Sequence, residues 1–207
     1  MEQLSFFALS GQSVGLPSDV LEYHGGFIDA VKSDAILQEL IAITPWKQKV
    51  VRYYDKEVIT PRLSAFYGDA TQVDYTAIGK SKPFEWTPLL LTLKRKVEPI
   101  AGMAFNSVLL NYYRDGQDSV AWHSDNETVM GSHPIIASLS FGQVRTFDIR
   151  LKANHSVKYG VRLEHGSLLI MKGDLQQNWD HRIAKSKSFM QPRVNLTFRR
   201  IIHPLNV

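Results

Sequence analysis

Mainly β structure with a small helical portion, folded as a barrel or a double-sheet jelly roll, is the fold class this sequence predicts, and three observations predict it. From residue 105 onward the chain reads as short apolar segments broken by turns: FNSVLLNYY, RDGQD, IIASLSFG, TFDIRL, GVRLEHG, SLLIMKG and PRVNLTFRRII. Many short strands at that spacing belong to antiparallel sheets that close on themselves or stack in pairs. Helical spacing is confined to two stretches before residue 101. The 207 residues, 44% hydrophobic and 21% charged, suit one globular domain able to bury its own core without disulfides.

Taken in order, the N-terminal MEQLSFFALSGQSVG lacks the basic start and long apolar core of a secretory signal, so an intracellular location is expected. In residues 28–43, IDAVKSDAILQELIAI, the apolar Val31, Ile36, Leu37, Leu40 and Ile41 recur at helical spacing until Pro45, which predicts an amphipathic helix. Residues 50–83 mix Arg, Lys and Tyr with turn residues and read as hairpins and loops. A second helix is predicted over 87–100, with Thr87 as cap and Pro88 at the first helical position. Leu89, Leu93, Val97 and Ile100 share one of its faces, and Lys94, Arg95 and Lys96 form a solvated one. No apolar run reaches the roughly 18 residues of a membrane span. The absence of cysteine excludes thiolate-held zinc, iron–sulfur clusters and thiol nucleophiles, leaving His, Asp and Glu for any metal. A net charge of +4 favours polyanionic partners without requiring them.

The last strand carries the first chemistry. In PRVNLTFRR, Val194, Leu196 and Phe198 alternate with Arg193, Asn195, Thr197 and Arg199, so one face is apolar and the other bears two guanidiniums. That polar face either meets solvent or lines the barrel, where two buried arginines need an anionic partner. In SVLLNYY, Asn111 and Tyr113 share a face and can hydrogen-bond carboxylate oxygens, so the four side chains together suit a dicarboxylate.

A metal site is read from VAWHSDNE. On an extended segment His123 and Asp125 project to one side and can reach one ion. Two ligands are not enough, and the best-placed third is His181 in NWDHRI, just before the final strand; Asp180 beside it is a rival carboxylate, but it points to the opposite face of an extended segment, so Asp125 is preferred. Two His and one carboxylate, with open positions for a 2-oxo acid and O2, is the arrangement of non-haem Fe(II) oxygenases. His24, His133, His155, His165 and His203 stand beside Gly, Pro or loop signals and read as surface or turn residues.

The runs NSVLLNYYRDGQDSVAWHSDNE, PIIASLSFGQVRTFDIR, LEHGSLLIMKG, NWDHRI and PRVNLTFRR, with YGD at 67–69 and the PFEWTP segment, resemble the AlkB family of Fe(II)- and 2-oxoglutarate-dependent dioxygenases, most closely its DNA-repair branch. The resemblance spans residues 60–202. It implies a single domain, 1–207, in which a double-stranded β-helix core over 101–207 carries N-terminal helices and a nucleotide-recognition hairpin and lid from 1–100. It implies Fe(II) held by His123, Asp125 and His181, and O2 as a further co-substrate. For 2-oxoglutarate it implies Asn111, Tyr113, Arg193, Asn195, Thr197 and Arg199, with Arg199 on the distal carboxylate and Arg193 toward the iron and the substrate. The implied activity is oxidative demethylation of 1-methyladenine and 3-methylcytosine type bases in DNA, a direct-reversal repair that releases formaldehyde, succinate and CO2.

The same resemblance implies alkylated DNA as partner, single- or double-stranded, with RNA as the alternative, and a target base taken out of its stack. Tyr54, beside Tyr53, matches a hairpin wedge, and Arg62 matches a DNA-contacting arginine. Tyr75 matches the first aromatic of a lid, although Ala77 stands where a second aromatic is usual. Asn126 replaces a frequent Asp, leaving Glu127 as the other acidic group near the pocket. Arg145 matches a substrate-side arginine or makes a structural ion pair. A monomer without membrane association is the default, cytoplasmic in a bacterium and nuclear in a eukaryote. The competing readings are the same oxygenase acting on a protein side chain or small molecule, and a non-catalytic metal-binding jelly roll.

Overall fold

The computed structural model describes residues 18–53, 56–69, 75 and 81–202. Tyr54, Ala77 and His203 lie outside the described residues. The elements in chain order are β1 Leu21–His24, α1 Ala30–Ile43, β2 Lys47–Tyr53, β3 Lys56–Gly68, α2 Pro88–Ala101, β4 Ser107–Tyr113, β5 Val120–His123, β6 Ile136–Gly142, β7 Arg145–Leu151, β8 Lys158–Leu163, β9 Ser167–Met171, α3 Leu175–Asn178, β10 Trp179–Ile183 and β11 Arg193–Arg199. None of the described helices is long and apolar enough to cross a membrane.

Both predicted helices form where their caps stand. The Asp29 carboxylate accepts from Lys32 N at 3.0 Å and starts α1, and the Thr87 hydroxyl accepts from Leu90 N at 3.2 Å and starts α2. Gly102, at φ 64°, closes α2 in the left-handed conformation that favours glycine. The buried row of α1 is Ser33, Leu37 and Leu40, while Val31 is 81% exposed. At 100° per residue Val31 falls opposite that row, so its apolar character alone misassigned it. Ile100, in the last turn of α2, is likewise left exposed.

The strands make two antiparallel sheets, the larger ordered β1-β9-β6-β11-β4-β3-β2 and the smaller β5-β10-β7-β8. Two stacked antiparallel sheets of this kind are a jelly roll. The region over 50–83 read as hairpins and loops contains one long hairpin, β2 with β3, and β3 continues into the larger sheet beside β4.

Strand β11 lies between β4 and β6, with Asn195 opposite Asn111 on one side and Ser140 on the other. Its Val194, Leu196 and Phe198 pack with Leu110, Leu139, Leu37, Leu40, Leu93 and Val97 in a core between the larger sheet and the two long helices. Its alternate residues Arg193, Asn195 and Thr197 are also buried, on the face toward the smaller sheet. The polar face of the last strand therefore lines the interior rather than meeting solvent. A second core, with Phe147, Ile149, Leu163, Leu169, Met171 and Ile183, surrounds that lining with apolar walls.

Candidate active site

The polar face of β11 runs along a cavity of about 190 Å³ between the sheets, lined by Asn111, Tyr113, His123, Asp125, Glu127, His181, Arg193, Asn195, Thr197 and Arg199, with Arg62, Ser138 and Arg182. At one end three metal-ligand side chains converge. His123 on β5 and His181 on β10 are direct cross-strand partners, which sets their rings 4.2 Å apart, and Asp125 follows two residues after His123. The ligand-capable atoms of His123, Asp125 and His181 lie within 4.8 Å of one another.

Each donor is held in the state a metal needs. His123 Nδ1 lies 2.9 Å from the Ala121 carbonyl, so Nδ1 carries the hydrogen and Nε2 keeps its lone pair. Burial drives the His181 imidazole down to about 3, aided by His123 beside it, and keeps it neutral. Phe147 stacks on that ring at 5.0 Å. Burial acts to raise the Asp125 carboxyl, but the Arg199 guanidinium and the two imidazoles outweigh it and hold the group below its ordinary value. Arg199 Nη2 donates to Asp125 Oδ2 at 2.8 Å, and Asp125 Oδ1 faces His123 Nε2 at 3.8 Å. One carboxylate oxygen is engaged and the other turned to the triad. His181 Nδ1 is buried without a hydrogen-bond partner among the described residues. A group of nitrogen and oxygen lone pairs with a buried ring nitrogen unsatisfied fits a divalent cation.

The other end has the opposite character. Arg193 is 1% exposed, donates from Nη2 to Ser140 Oγ at 3.0 Å, and lies 5.0 Å from the Tyr113 ring centre. Among the described residues its Nε and Nη1 are buried without hydrogen-bond partners, and burial lowers its guanidinium from the ordinary value against the opposing pull of the Tyr113 hydroxyl. Two unsatisfied N–H groups on a buried cation fit a carboxylate ligand. This reverses the order expected from the sequence, which set Arg199 at the distal carboxylate and Arg193 near the iron. Strand direction decides it: β11 ends at Arg199, and that end meets Asp125.

The remaining expected residues divide. Asn111 lines the cavity with its amide oxygen accepting from Arg62 Nε at 2.8 Å, and Arg62 also donates to the Ser119 carbonyl at 3.2 Å. Asn195 lines it too, but its amide donates to Ser138 Oγ at 2.8 Å and to the Leu139 carbonyl at 3.1 Å, while the Thr197 hydroxyl leans on its oxygen. Those two residues brace the wall. Glu127 is exposed at the cavity, whereas Asn126 is exposed and does not line it.

Two of the residues expected on the substrate side are buried and do not line the cavity. Arg145, 4% exposed, donates to the carbonyls of Asp115 at 3.2 Å, Asp118 at 3.1 Å and Ala184. It ties the β4–β5 turn to the β10–β11 connection. Tyr75, 3% exposed, packs edge-on against Phe66 and donates its hydroxyl to the Asn106 carbonyl at 3.3 Å, so its faces are not available to stack on a base. Tyr54 lies outside the described residues.

Sequence reasoning missed several contributors. Ser138 and Ser140 stand at alternate positions of the apolar strand IASLSFG, a period-2 signal that was there to be read. Gln176, whose amide oxygen accepts from Asp125 N at 2.8 Å, carried no local signal. On the outer side of the smaller sheet, Arg150 and Arg182 each cover the Trp122 ring, at 4.3 and 4.4 Å, and pair with Asp180 and Asp148.

The 2OG-Fe(II) oxygenase superfamily model matches residues 21–199. The chain is 45% identical over 184 residues to alkB homolog 3 from Mus musculus and equally to that from Homo sapiens, both described as alpha-ketoglutarate-dependent dioxygenases. Those matches cover 85% of this chain and 64% of each relative, so the chain spans less than two-thirds of their length. It is 38% identical over 160 residues to the DNA oxidative demethylase ALKBH2 of Homo sapiens, covering 73% of this chain and 61% of that protein. The solved structure of OsALKBH1 superposes with a TM-score of 0.63 over 87% of this chain and 97% of that one, at 15% identity.

Proposed function

The chain belongs to the 2OG-Fe(II) oxygenase superfamily, and from that premise we propose that it oxidatively removes N-alkyl groups from DNA bases, with 1-methyladenine and 3-methylcytosine type lesions as substrates. The observation that carries the reading is the polarity of one cavity. A triad of lone-pair donors stands at one end, and a buried arginine with two unpartnered N–H groups stands at the other. A dicarboxylic 2-oxo acid is complementary to both ends at once. The name of one relative, the DNA oxidative demethylase ALKBH2, supports a DNA substrate.

In this reading His123, Asp125 and His181 hold Fe(II), and Arg193 takes the distal carboxylate of 2-oxoglutarate with Ser140 and Tyr113 beside it. Bound iron supplies O2 activation, coupling decarboxylation of 2-oxoglutarate to succinate and CO2 with insertion of one oxygen atom into a C–H bond of the N-alkyl group. The hydroxymethyl product on nitrogen then loses formaldehyde, and the ring nitrogen regains its ordinary bonding. Arg199 fixes the Asp125 carboxylate, and the apolar side chains Phe147, Leu163, Met171 and Ile183 keep the reacting region dry. The triad opens to solvent on the side of His123, whose side chain is 39% exposed, and Glu127, two residues after Asp125, also lines the cavity. An extruded base is expected to enter there.

Base-resolved demethylation of single- and double-stranded oligonucleotides carrying either lesion tests this, with methylated RNA and methyl-free DNA in parallel. The expected result is formaldehyde and succinate in equal amounts from methylated DNA and none from His123→Ala. Turnover that survives His123→Ala sinks the metal assignment. Succinate formation stimulated only by RNA moves the substrate class.

A further inference from the structure

We propose that Gln176 is a positioning residue that holds the main chain of Asp125, and so sets how that carboxylate meets a metal. The inference rests on the reading of His123, Asp125 and His181 as the metal site. After His123 the chain leaves β5, and residues 124–127 have no strand pairing to fix them. The Asp125 N–H would be left to the cavity wall. Gln176 Oε1 accepts it at 2.8 Å.

The surroundings of Gln176 make this contact its principal one. The residue is 1% exposed, and among the described residues its side-chain nitrogen reaches only Met171 Sδ, a weak acceptor, at 3.6 Å. A buried amide in an apolar wall costs free energy unless its bonds are made, and Leu175 and Met171 beside it are apolar. The strong bond that Gln176 makes is the one to a ligand-bearing residue.

The support is itself braced. Lys152 Nζ donates to the Gln176 carbonyl at 2.9 Å and to Ser124 Oγ at 2.9 Å, which ties the loop and α3 together from a third element. On the other side Arg199 holds Asp125 Oδ2. Because α3 runs directly into β10, Gln176 and the ligand His181 sit on one short continuous segment. A shift of that segment moves His181 and Asp125 together, so a ligand on β10 and one on the loop after β5 keep a common frame. Outer partners of this kind change metal affinity by about 10- to 100-fold when lost.

Gln176→Met keeps the length and removes the acceptor; Gln176→Glu keeps an acceptor oxygen. Mn(II) binding to metal-free protein is measured by calorimetry, together with the KM for 2-oxoglutarate and melting in EDTA. The expected result is Mn(II) binding weakened about tenfold or more in Gln176→Met, restored to within about threefold in Gln176→Glu, with the KM for 2-oxoglutarate changed less than about twofold. Mn(II) affinity in Gln176→Met equal to wild type, whatever the melting temperature, overturns the proposal, as does a loss that Gln176→Glu fails to restore. Should Gln176→Met not fold, Lys152→Met decides by the same titration, and unchanged affinity there overturns the proposal. Failure of the wild type to bind Mn(II) removes instead the metal reading beneath it.

Discussion

The two ends of the cavity place buried charge in opposite ways. At the Asp125 end, the Arg199 guanidinium and the carboxylate meet at 2.8 Å, the lone pairs left over face one another, and Arg199 Nε is the one guanidinium nitrogen there that is buried without a hydrogen-bond partner among the described residues. At the Arg193 end, the guanidinium has a serine hydroxyl and an aromatic face but two N–H groups without partners. The first end is balanced in charge and asks for a cation to satisfy its donors; the second is unbalanced and asks for an anion. Since unpaired buried charge is far costlier than an unpaired dipole, the Arg193 end stores the larger demand for a ligand. Substitutions at the two ends should therefore fail differently.

The largest effect is expected where a metal ligand is lost. Asp125→Asn removes the charge that balances both Arg199 and a divalent ion. Turnover should fall about a thousandfold or more, the several kcal/mol that a bound metal contributes. Calorimetric titration with Mn(II) should show binding weakened in step, and 2-oxoglutarate should still stabilise the metal-free protein through Arg193. Loss of that stabilisation as well would break the separation between the ends.

Arg193→Met is the converse. Without ligand the variant should melt at or above the wild-type temperature, because a buried charge without a counterion is replaced by an apolar chain of similar length. With 2-oxoglutarate present the wild type should gain stability and the variant should not. The KM for 2-oxoglutarate should rise about 100-fold, the loss of two charge-assisted hydrogen bonds at about 1.5 kcal/mol each. Differential scanning with and without the co-substrate reads both effects.

Arg145 sharpens the point, since it and Arg193 lie on the same Tyr113 ring, at 5.8 and 5.0 Å. Both are buried arginines, yet Arg145 has three main-chain carbonyls as acceptors. Arg145→Met should lower stability by about 2 to 3 kcal/mol, because those carbonyls are left unsatisfied, and shift the KM for 2-oxoglutarate less than about threefold. A melting temperature lower by about 5 to 10 °C checks it. On the proposed reading the first arginine serves the fold and the second a ligand, a difference set by their acceptors.

That limit describes what the sequence made legible. Alternation in PRVNLTFRR and IASLSFG, helical spacing with Thr87 and Pro88, and the i, i+2 geometry of His123 and Asp125 are local patterns with fixed periods, and they reappear in β11, β6, α2 and the triad. Whether the polar face of β11 met solvent or an interior depended on the second sheet, which no period within the strand encodes. The order of Arg193 and Arg199 along the cavity depended on which end of β11 meets the loop after β5. Gln176 was invisible because its partner, the Asp125 N–H, is 51 residues away in the chain.

The smallest effect is expected at Tyr75, away from both ends. Its ring is buried against Phe66 and Ile201, and its hydroxyl donates to the Asn106 carbonyl at a long 3.3 Å. Tyr75→Phe keeps the packing and removes one weak hydrogen bond, so stability should fall by about 0.5 to 1 kcal/mol. Lesion preference should not change, since the hydroxyl and ring faces do not line the cavity. Burial, with Asp69 nearby, raises the phenol to about 12. A folded value above the unfolded value of about 10 means that this group stabilises the wild type fully below pH 10, and that the contribution is lost as pH rises through 12. Between pH 10 and 12 the wild type should therefore lose stability faster than Tyr75→Phe, and the gap between them should close. A gap constant across that range, or a changed ratio of 1-methyladenine to 3-methylcytosine turnover, would return Tyr75 to the substrate side of the molecule.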